Sequence, residues 1–378
     1  MNNPIVGYHI QAGVSPWLND IAALKPALVT VVDPQSGEAE QIKNASPNTK
    51  IVGRVYKPDE QISAAIEASP RDAALWAYDL IAPVAEHNQQ VDWWQFTNEV
   101  QQVGVDQLRR NAQFHYQLID RLQAIGARAT IANFSRGNPR VPGEDPAYWA
   151  TQYDIMRYAK GRGGLLWLHQ YGYAPIGHDA SWLLRRYEER VHPHLPDDLK
   201  DMPWGVGEWG CDMGNGTGWR MGYGGDAARY VDDMVAESRR VKQSAAGQYC
   251  VGLCIFTLGH YEPWGSFDIA GDVVRLMPTR AWPSVATSTP SPPTPTPNVD
   301  EWAMRRGREI ATISVAPGTA LFDAIIRDGW LPNSPEVYEH GPDGRLYVLR
   351  SGESPDGQRK ATYFALSGDW DNVRKVEA

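Results

Sequence analysis

The sequence predicts an α/β architecture: a (β/α)8 barrel over residues 1–283, a Pro/Ser/Thr-rich linker over 284–299 and a small α+β domain over 300–378. Three observations predict it. Eight short apolar runs of strand length alternate with longer segments of helical period. The runs are continuously apolar, as strands of a parallel sheet buried on both faces must be. Finally, Pro290, Pro292, Pro293, Pro295 and Pro297 crowd one short segment. They remove amide donors and fix φ, so this stretch joins neither a helix nor a central strand and runs as a semi-rigid polyproline II spacer.

In chain order the strand-like runs are Ile5–Ile10, Ala27–Val32, Lys50–Val55, Val91–Thr97, Ala127–Asn133, Leu165–His169, Trp204–Glu208 and Cys250–Leu258. A short helix over Gly37–Ala45 and helices over Pro70–Glu86, Val105–Ala124, Pro146–Ala159, Ser181–Val191 and Asp226–Lys242 fill gaps between them. In Val105–Ala124, Leu108, Ala112, Leu118 and Leu122 recur at three to four residues, with Phe114 slightly off the stripe; Ala227, Tyr230, Val231, Met234 and Val235 do the same in the last helix. Eight runs in roughly 280 residues fit a closed barrel better than an open doubly wound sheet. The first strand leads into Gly7-Tyr8-His9-Ile10-Gln11-Ala12-Gly13, with no GxGxxG, so a dinucleotide fold has no support.

Composition narrows the function. At 42% hydrophobic residues the chain builds a sizeable core, which excludes wholesale disorder. Its 45 acidic against 36 basic side chains give a net charge of −9; such a chain repels phosphate, which argues against nucleic acid as a partner. No apolar stretch approaches the roughly 20 residues of a membrane span. Met1-Asn2-Asn3-Pro4 carries neither the basic nor the apolar block of a signal peptide, while the Pro/Thr linker is of the kind found in exported multi-module enzymes; localisation stays open. Three cysteines exclude a disulfide scaffold. Cys250 and Cys254, in one strand, stand roughly 13 Å apart, too far to pair, and all three are expected to pack as small hydrophobes.

In a parallel barrel the chemistry sits at the carboxyl ends of the strands. Here those ends collect polar residues: His9 and Gln11, Asp33, Arg54 and Tyr56, Asn98 and Glu99, Asn133, His169 with Gln170 and Tyr171, Glu208, and His260. Polar groups gathered at one end of apolar strands must face water or one another, which reads as an active-site rim. Glu99 closes the fourth run and Glu208 the seventh, so both carboxyls face one mouth. Hydrolysis of a glycosidic bond needs two carboxyls in different protonation states, one giving a proton to the leaving oxygen and one, ionised, attacking the sugar carbon.

The Asn98-Glu99 pair after strand four, with Glu208 after strand seven, resembles clan A of the retaining glycoside hydrolases, a TIM-barrel superfamily of cellulases, mannanases, xylanases and β-galactosidases. The resemblance covers residues 1–283 as an order of elements. It implies Glu99 as acid/base, Glu208 as nucleophile, Asn98 as the holder of the sugar 2-hydroxyl, His169 or Tyr171 as the residue touching the nucleophile, and Arg54 as its cationic partner. Two features depart from the pattern. Val100 follows the Asn-Glu pair where proline is common, and the eighth strand lacks the tryptophan that usually floors the reactive subsite; either Trp264, in the following loop, substitutes or the floor differs.

Other readings stand beside these. Arg54 could instead bridge to Asp33 or Asp59, and Asn133 could contact ligand or simply satisfy a strand end. Sugar faces pack on aromatic rings; Trp94, Trp209, Trp219, Tyr173, Tyr223, Tyr261 and Trp264 lie near the mouth in sequence, with Trp209 and Trp264 expected to bind substrate. Trp76, Trp149 and Trp182 fall on helix stripes and read as packing. The glycine-rich Gly210–Gly225 reads as a mobile substrate loop rather than a phosphate cradle. No cofactor and no metal site is expected: His192-Pro193-His194 reads as a surface loop, and no GxSxG marks a serine hydrolase. Residues 300–378 promise a helix over Asp300–Arg308, a strand over Glu309–Val315, an amphipathic Ala320–Asp328, and a hairpin of Leu346–Ser351 with Lys360–Leu366 turning at Ser354–Gly357. Exposed-looking Tyr338, Tyr347, Tyr363 and Trp370 could bind glycan, or the piece could only pack. The partner is therefore an oligosaccharide or polysaccharide, with a non-catalytic glycan-binding barrel as the rival reading. A third reading, an enzyme of another class using the same mouth, would be betrayed by metal dependence.

Overall fold

The computed structural model describes residues 3–11, 13–177, 183–214, 216–285, 325, 331–332, 337–340, 346–353, 360–366 and 373–377. The chain forms two compact units, Met1–Thr289 and Pro290–Ala378. In the first, eight strands form one parallel sheet: β1 Val6–Ile10, β2 Leu28–Val32, β3 Lys50–Arg54, β4 Trp93–Gln95, β5 Thr130–Phe134, β6 Leu165–Gly172, β7 Trp204–Cys211 and β8 Cys250–Leu258. Their order, β4-β3-β2-β1-β8-β7-β6-β5, wraps the sheet round. A parallel bridge from Trp94 to Ala129, with Trp94 N–H on Arg128 O at 2.8 Å, joins β4 to β5. The (β/α)8 barrel is thus present.

Helices α1 Leu18–Leu24, α2 Glu38–Ala45, α3 Asp59–Ala68, α4 Pro70–Glu86, α5 Val105–Ala124, α6 Pro146–Lys160, α7 Trp219–Gly222 and α8 Ala227–Gln243 connect the strands, and α9 Asp272–Leu276 follows β8. Their starts are written locally. The Ser69 hydroxyl accepts from Asp72 N–H, Asp145 from Ala147 N–H and Asp226 from Arg229 N–H, satisfying amides that a first turn leaves unpaired. The stripe Leu108, Ala112, Phe114, Leu118 and Leu122 is buried while Arg109 points to solvent. Ser181–Val191 differs from expectation. Tyr187–Val191 is a π-turn in which Tyr187 N–H meets Gln170 Oε1, Pro193 stops it, and residues 181–182, with Trp182, lie outside the described ones. The following His192–His194 is a 3-10 turn, and His192 does not lie on the surface as the loop reading expects: it is buried, its Nε2 on Lys200 O at 2.9 Å.

The apolar runs divide into two sets. Leu28, Val52, Trp93, Leu165, Trp167 and Cys254, all from strands, form one cluster inside the barrel. The opposite faces, with Val29, Ile51, Trp94, Leu166, Val206 and Trp209, pack against the helices. Trp167 fills the interior because β7 gives it Gly205 and Gly207: a Cβ at Gly205 would stand 2.6 Å from its ring, and one at Gly207 nearer still. Burying such side chains is worth about 25 cal/mol per Å² of apolar surface. The three cysteines are free and buried. Trp149 is fully buried and Trp76 packs edge-on against Phe96.

Ser284 and Val285, which the sequence assigns to the linker, pair with Pro4 and Asn3 and close the first unit. Residues 286–300 lie outside the described ones. In the second unit β9 Leu331–Pro332, β10 Val337–His340, β11 Leu346–Glu353, β12 Lys360–Leu366 and β13 Arg374–Glu377 make an antiparallel sheet in which β11 pairs with β12 as the hairpin predicts. Tyr347 and Tyr363 are buried, against expectation, Tyr363 in a cluster with Ile325, Ala361 and Ala365. The side chain of Tyr338, together with Trp370, Asp300–Arg308, Glu309–Val315, the Ser354–Gly357 turn and all of Ala320–Asp328 but helical Ile325, lies outside the described residues.

Candidate active site

At the carboxyl ends of the barrel strands lies a cavity of about 860 Å³ whose wall includes Arg54, Asn98, Glu99, Tyr171, Glu208 and Trp264. Two backbone irregularities aim the glutamates into it. After the short β4 the chain turns through Glu99 at φ 54°, a left-handed conformation uncommon for a residue with a side chain, and Glu99 N–H is held by Asn133 O at 3.0 Å. In β7 the pairing register slips between Val206 and Trp209. That bulge turns Glu208 inward although Gly205 and Gly207 already face the interior.

The two carboxyls meet. Oxygen atoms of Glu99 and Glu208 and a nitrogen of His169 lie within 4.8 Å of one another. His169 Nδ1 is 2.6 Å from Glu99 Oε1 and 3.5 Å from Glu208 Oε2. The Tyr171 hydroxyl donates to Glu208 Oε2 at 2.8 Å, and Arg54 donates to Glu208 Oε1 at 3.3 Å. Arg54 therefore pairs with Glu208 and not with Asp33 or Asp59.

The environments of the two differ. The Glu208 side chain is 11% exposed and that of Glu99 33%. Burial by itself would push the Glu208 carboxyl up, but His169, His9, Arg54 and the Tyr171 hydrogen bond outweigh it and hold it below the usual range. Burial works against the cationic form of His169, yet Glu208 and Glu99 prevail and its pKa is raised. His9, buried with Nδ1 on Gly207 O at 2.9 Å, is lowered to about 4, chiefly by burial. It is neutral near pH 7, donates to that carbonyl, and leaves Nε2 with no partner among the described residues.

Two residues named as ligand contacts take other places. Trp209 does not line the cavity: the bulge that brings Glu208 in sends Trp209 to the helix-facing core, where it is fully buried. Asn133 lies beneath the wall, fully buried, donating to Thr97 Oγ1 and accepting from Thr130 Oγ1 at 3.0 Å. With its carbonyl on Glu99 N–H, it braces the Thr97–Glu99 turn. Trp94, Trp219 and Tyr223 are also buried away from the cavity, and Trp219 stacks on Tyr230. The glycine-rich segment is a tied turn: Asp212 bridges Gly218, and Thr217 Oγ1 donates to Gly214 O.

The site also contains groups that the sequence reading does not name as site residues, Asp59 being offered there only as an ion partner for Arg54. The aromatic side chain that β8 contributes is Phe256, ringed edge-on by Tyr171, Trp264, Phe267 and His9. Its place as the last inward residue before the loop is the signal that could have found it. Asp59, at the start of α3, accepts from Asn98 Nδ2 at 3.4 Å; only the fold brings it there. Glu99, His169 and Glu208 are also the group among the described residues whose spacing could hold a metal ion. Arg54 on Glu208 opposes a second positive charge there.

No family model matches the sequence, and no curated protein matches it. Solved structures with a similar fold include the β-glucuronidase of Ruminococcus gnavus (11% identity, 68% of this chain and 43% of that one, TM-score 0.46). A GH2 β-galacturonidase of Eisenbergiella tayi bound to galacturonate is similar at 10% identity, over 73% of this chain and 51% of that one, with a TM-score of 0.46. A GH18 chitinase of Pseudoalteromonas aurantia is similar at 11% identity, over 72% and 99%, with a TM-score of 0.43. The chain spans about half the length of the first two or less.

Proposed function

We propose that the protein is a retaining glycoside hydrolase that cleaves β-linked glycosidic bonds of an oligosaccharide or polysaccharide by double displacement. The observation that carries this is the approach of the Glu99 and Glu208 carboxyls over His169, with oxygens within 4.8 Å. Retaining pairs stand about 5–5.5 Å apart, whereas inverting pairs need roughly 6.5–9.5 Å to admit a water.

In the first step a Glu208 oxygen bonds to the anomeric carbon as the glycosidic C–O bond breaks, and the Glu99 proton passes to the departing oxygen. In the second, Glu99 takes a proton from water, the water oxygen attacks the anomeric carbon, and the ester to Glu208 breaks. The Arg54 cation and the Tyr171 hydroxyl keep Glu208 ionised and fix its two oxygens apart. His169 orients the Glu99 carboxyl. Asn98, beside Glu99 on the wall, holds the sugar 2-hydroxyl, and Phe256 and Trp264 present aromatic surface to its apolar face. None of these steps needs a cofactor.

Purified protein is tested on a panel of β-linked polysaccharides and aryl β-glycosides, with product stereochemistry followed by NMR. The first product should keep the anomeric configuration of the substrate. An inverted product overturns the double displacement; hydrolysis undiminished in Glu208→Gln overturns the assignment of the pair.

A further inference from the structure

The charge of the cavity wall bears on which sugar it receives. Seven of its side chains are carboxylates and two, Arg54 and Arg136, are guanidinium groups. Both guanidinium groups already face carboxylates of the same wall, Arg54 with Glu208 at 3.3 Å and Arg136 with Asp212 at 3.2 Å. Asp33, Asp59, Glu60 and Glu262 have no ion pair among the described residues. A concave site of one sign concentrates ligands of the other and repels its own. A carboxylated or sulfated sugar is therefore disfavoured here.

Asp59 stands beside the reacting pair. Its Oδ2 accepts from Nδ2 of Asn98, the residue before Glu99, at 3.4 Å. Its Oδ1 and the Oδ1 of Asn98 are both buried, and neither has a donor among the described residues. Two neighbouring acceptors without a donor, in a wall rich in negative charge, call for a ligand group that brings N–H or O–H bonds. The unpaired carboxylates around them select a cation.

On the reading of the site as a glycoside hydrolase, we propose that its substrate is a β-linked glycan of amino sugars with free ammonium groups, and that Asp59 is the residue that selects it. The ammonium takes the place of the 2-hydroxyl that Asn98 would hold in a neutral sugar; it supplies three donors, enough for both orphaned oxygens, and its charge answers the excess of the wall. An N-acetylated sugar offers one amide N–H and no charge.

The test uses the full chain and four probes: glucosamine oligomers, N-acetylglucosamine oligomers, cello-oligomers and an aryl β-glucuronide. Hydrolysis is followed for each, and equilibrium binding of the first three is measured by calorimetry. The expected result is a kcat/KM and an affinity for glucosamine oligomers at least ten-fold above those of the neutral probes, with no turnover of the glucuronide. Added salt should narrow that ratio. Asp59→Asn should collapse it, through KM more than kcat, and Asp59→Glu should restore part of it. Neutral probes cleaved and bound as well as glucosamine oligomers would overturn the inference while leaving the hydrolase reading intact, as would a ratio unchanged in Asp59→Asn. Amine-selective binding without cleavage of any probe would sink the hydrolase reading and keep Asp59 as the selecting residue. No selectivity in either measurement overturns it outright.

Discussion

At the scale of single residues, the site works by giving two identical side chains different surroundings. Glu208 sits under the Arg54 cation and the Tyr171 hydroxyl, while Glu99 meets His169 and a third of its side chain faces the cavity. Removing the Tyr171 hydroxyl takes one charge-assisted hydrogen bond from Glu208, worth about 1.5–3 kcal/mol. Tyr171→Phe should accordingly lower kcat/KM by roughly ten- to a hundred-fold with the fold unchanged, as steady-state kinetics on an aryl glycoside would read. Arg54→Met tests the electrostatics. Arg54 contributes to depressing the Glu208 pKa, so its loss raises that pKa, and the acid limb of the kcat/KM profile should move to higher pH. An acid limb that stays in place would mean that Arg54 does not govern Glu208. The candidate pair was legible in the sequence because Glu99 and Glu208 end apolar runs. Asp59 was not, because nothing near it in the chain marks it; it reaches the site at the start of a helix that the periodicity left unassigned.

At the scale of elements, strand register decides what each side chain does. Alternation along β7 would set Gly205, Gly207 and Trp209 on one face, and the slip between Val206 and Trp209 exchanges Trp209 for Glu208. Gly207 lies within that slip and against the Trp167 ring, so Gly207→Ala overpacks the interior and should destabilise by about 1–3 kcal/mol. A denaturant midpoint equal to the parent's would contradict this. Behind β6, Glu188 of the π-turn is buried, its Oε2 on Gln170 Nε2 at 3.2 Å, and burial pushes its pKa up to about 8. A carboxyl raised in the folded state is protonated there while the unfolded chain has already released its proton. Its contribution is full below about pH 4.5 and lost as pH rises through about 8. Glu188→Gln should flatten the fall of Tm between pH 5 and 8, and a fall as steep as the parent's would place its cause elsewhere.

At the scale of the whole molecule, the chain divides after the last contacts of the barrel. Ile5 N–H meets Pro283 O and Val285 N–H meets Asn3 O, so the start of the barrel is held by its own last predicted residue and by Val285, which composition alone assigns to the linker. A chain ended at Thr289 should therefore keep the barrel's melting transition, whereas one ended at Trp282 loses both contacts and should melt lower; differential scanning calorimetry of the two compares them. Sequence by itself determined the number and order of the strands, the helices α2, α4, α5, α6 and α8, and the two glutamates at strand ends. These rest on periodicity, which is a local property. Only the tertiary structure decided that Trp209 is core and Phe256 is cavity, that Arg54 answers Glu208, that Asn133 braces a turn, and that Asp59 lines the cavity beside Asn98. Those facts depend on register and on approach between distant strands, which the packing of neighbouring strands sets and no short stretch of chain contains.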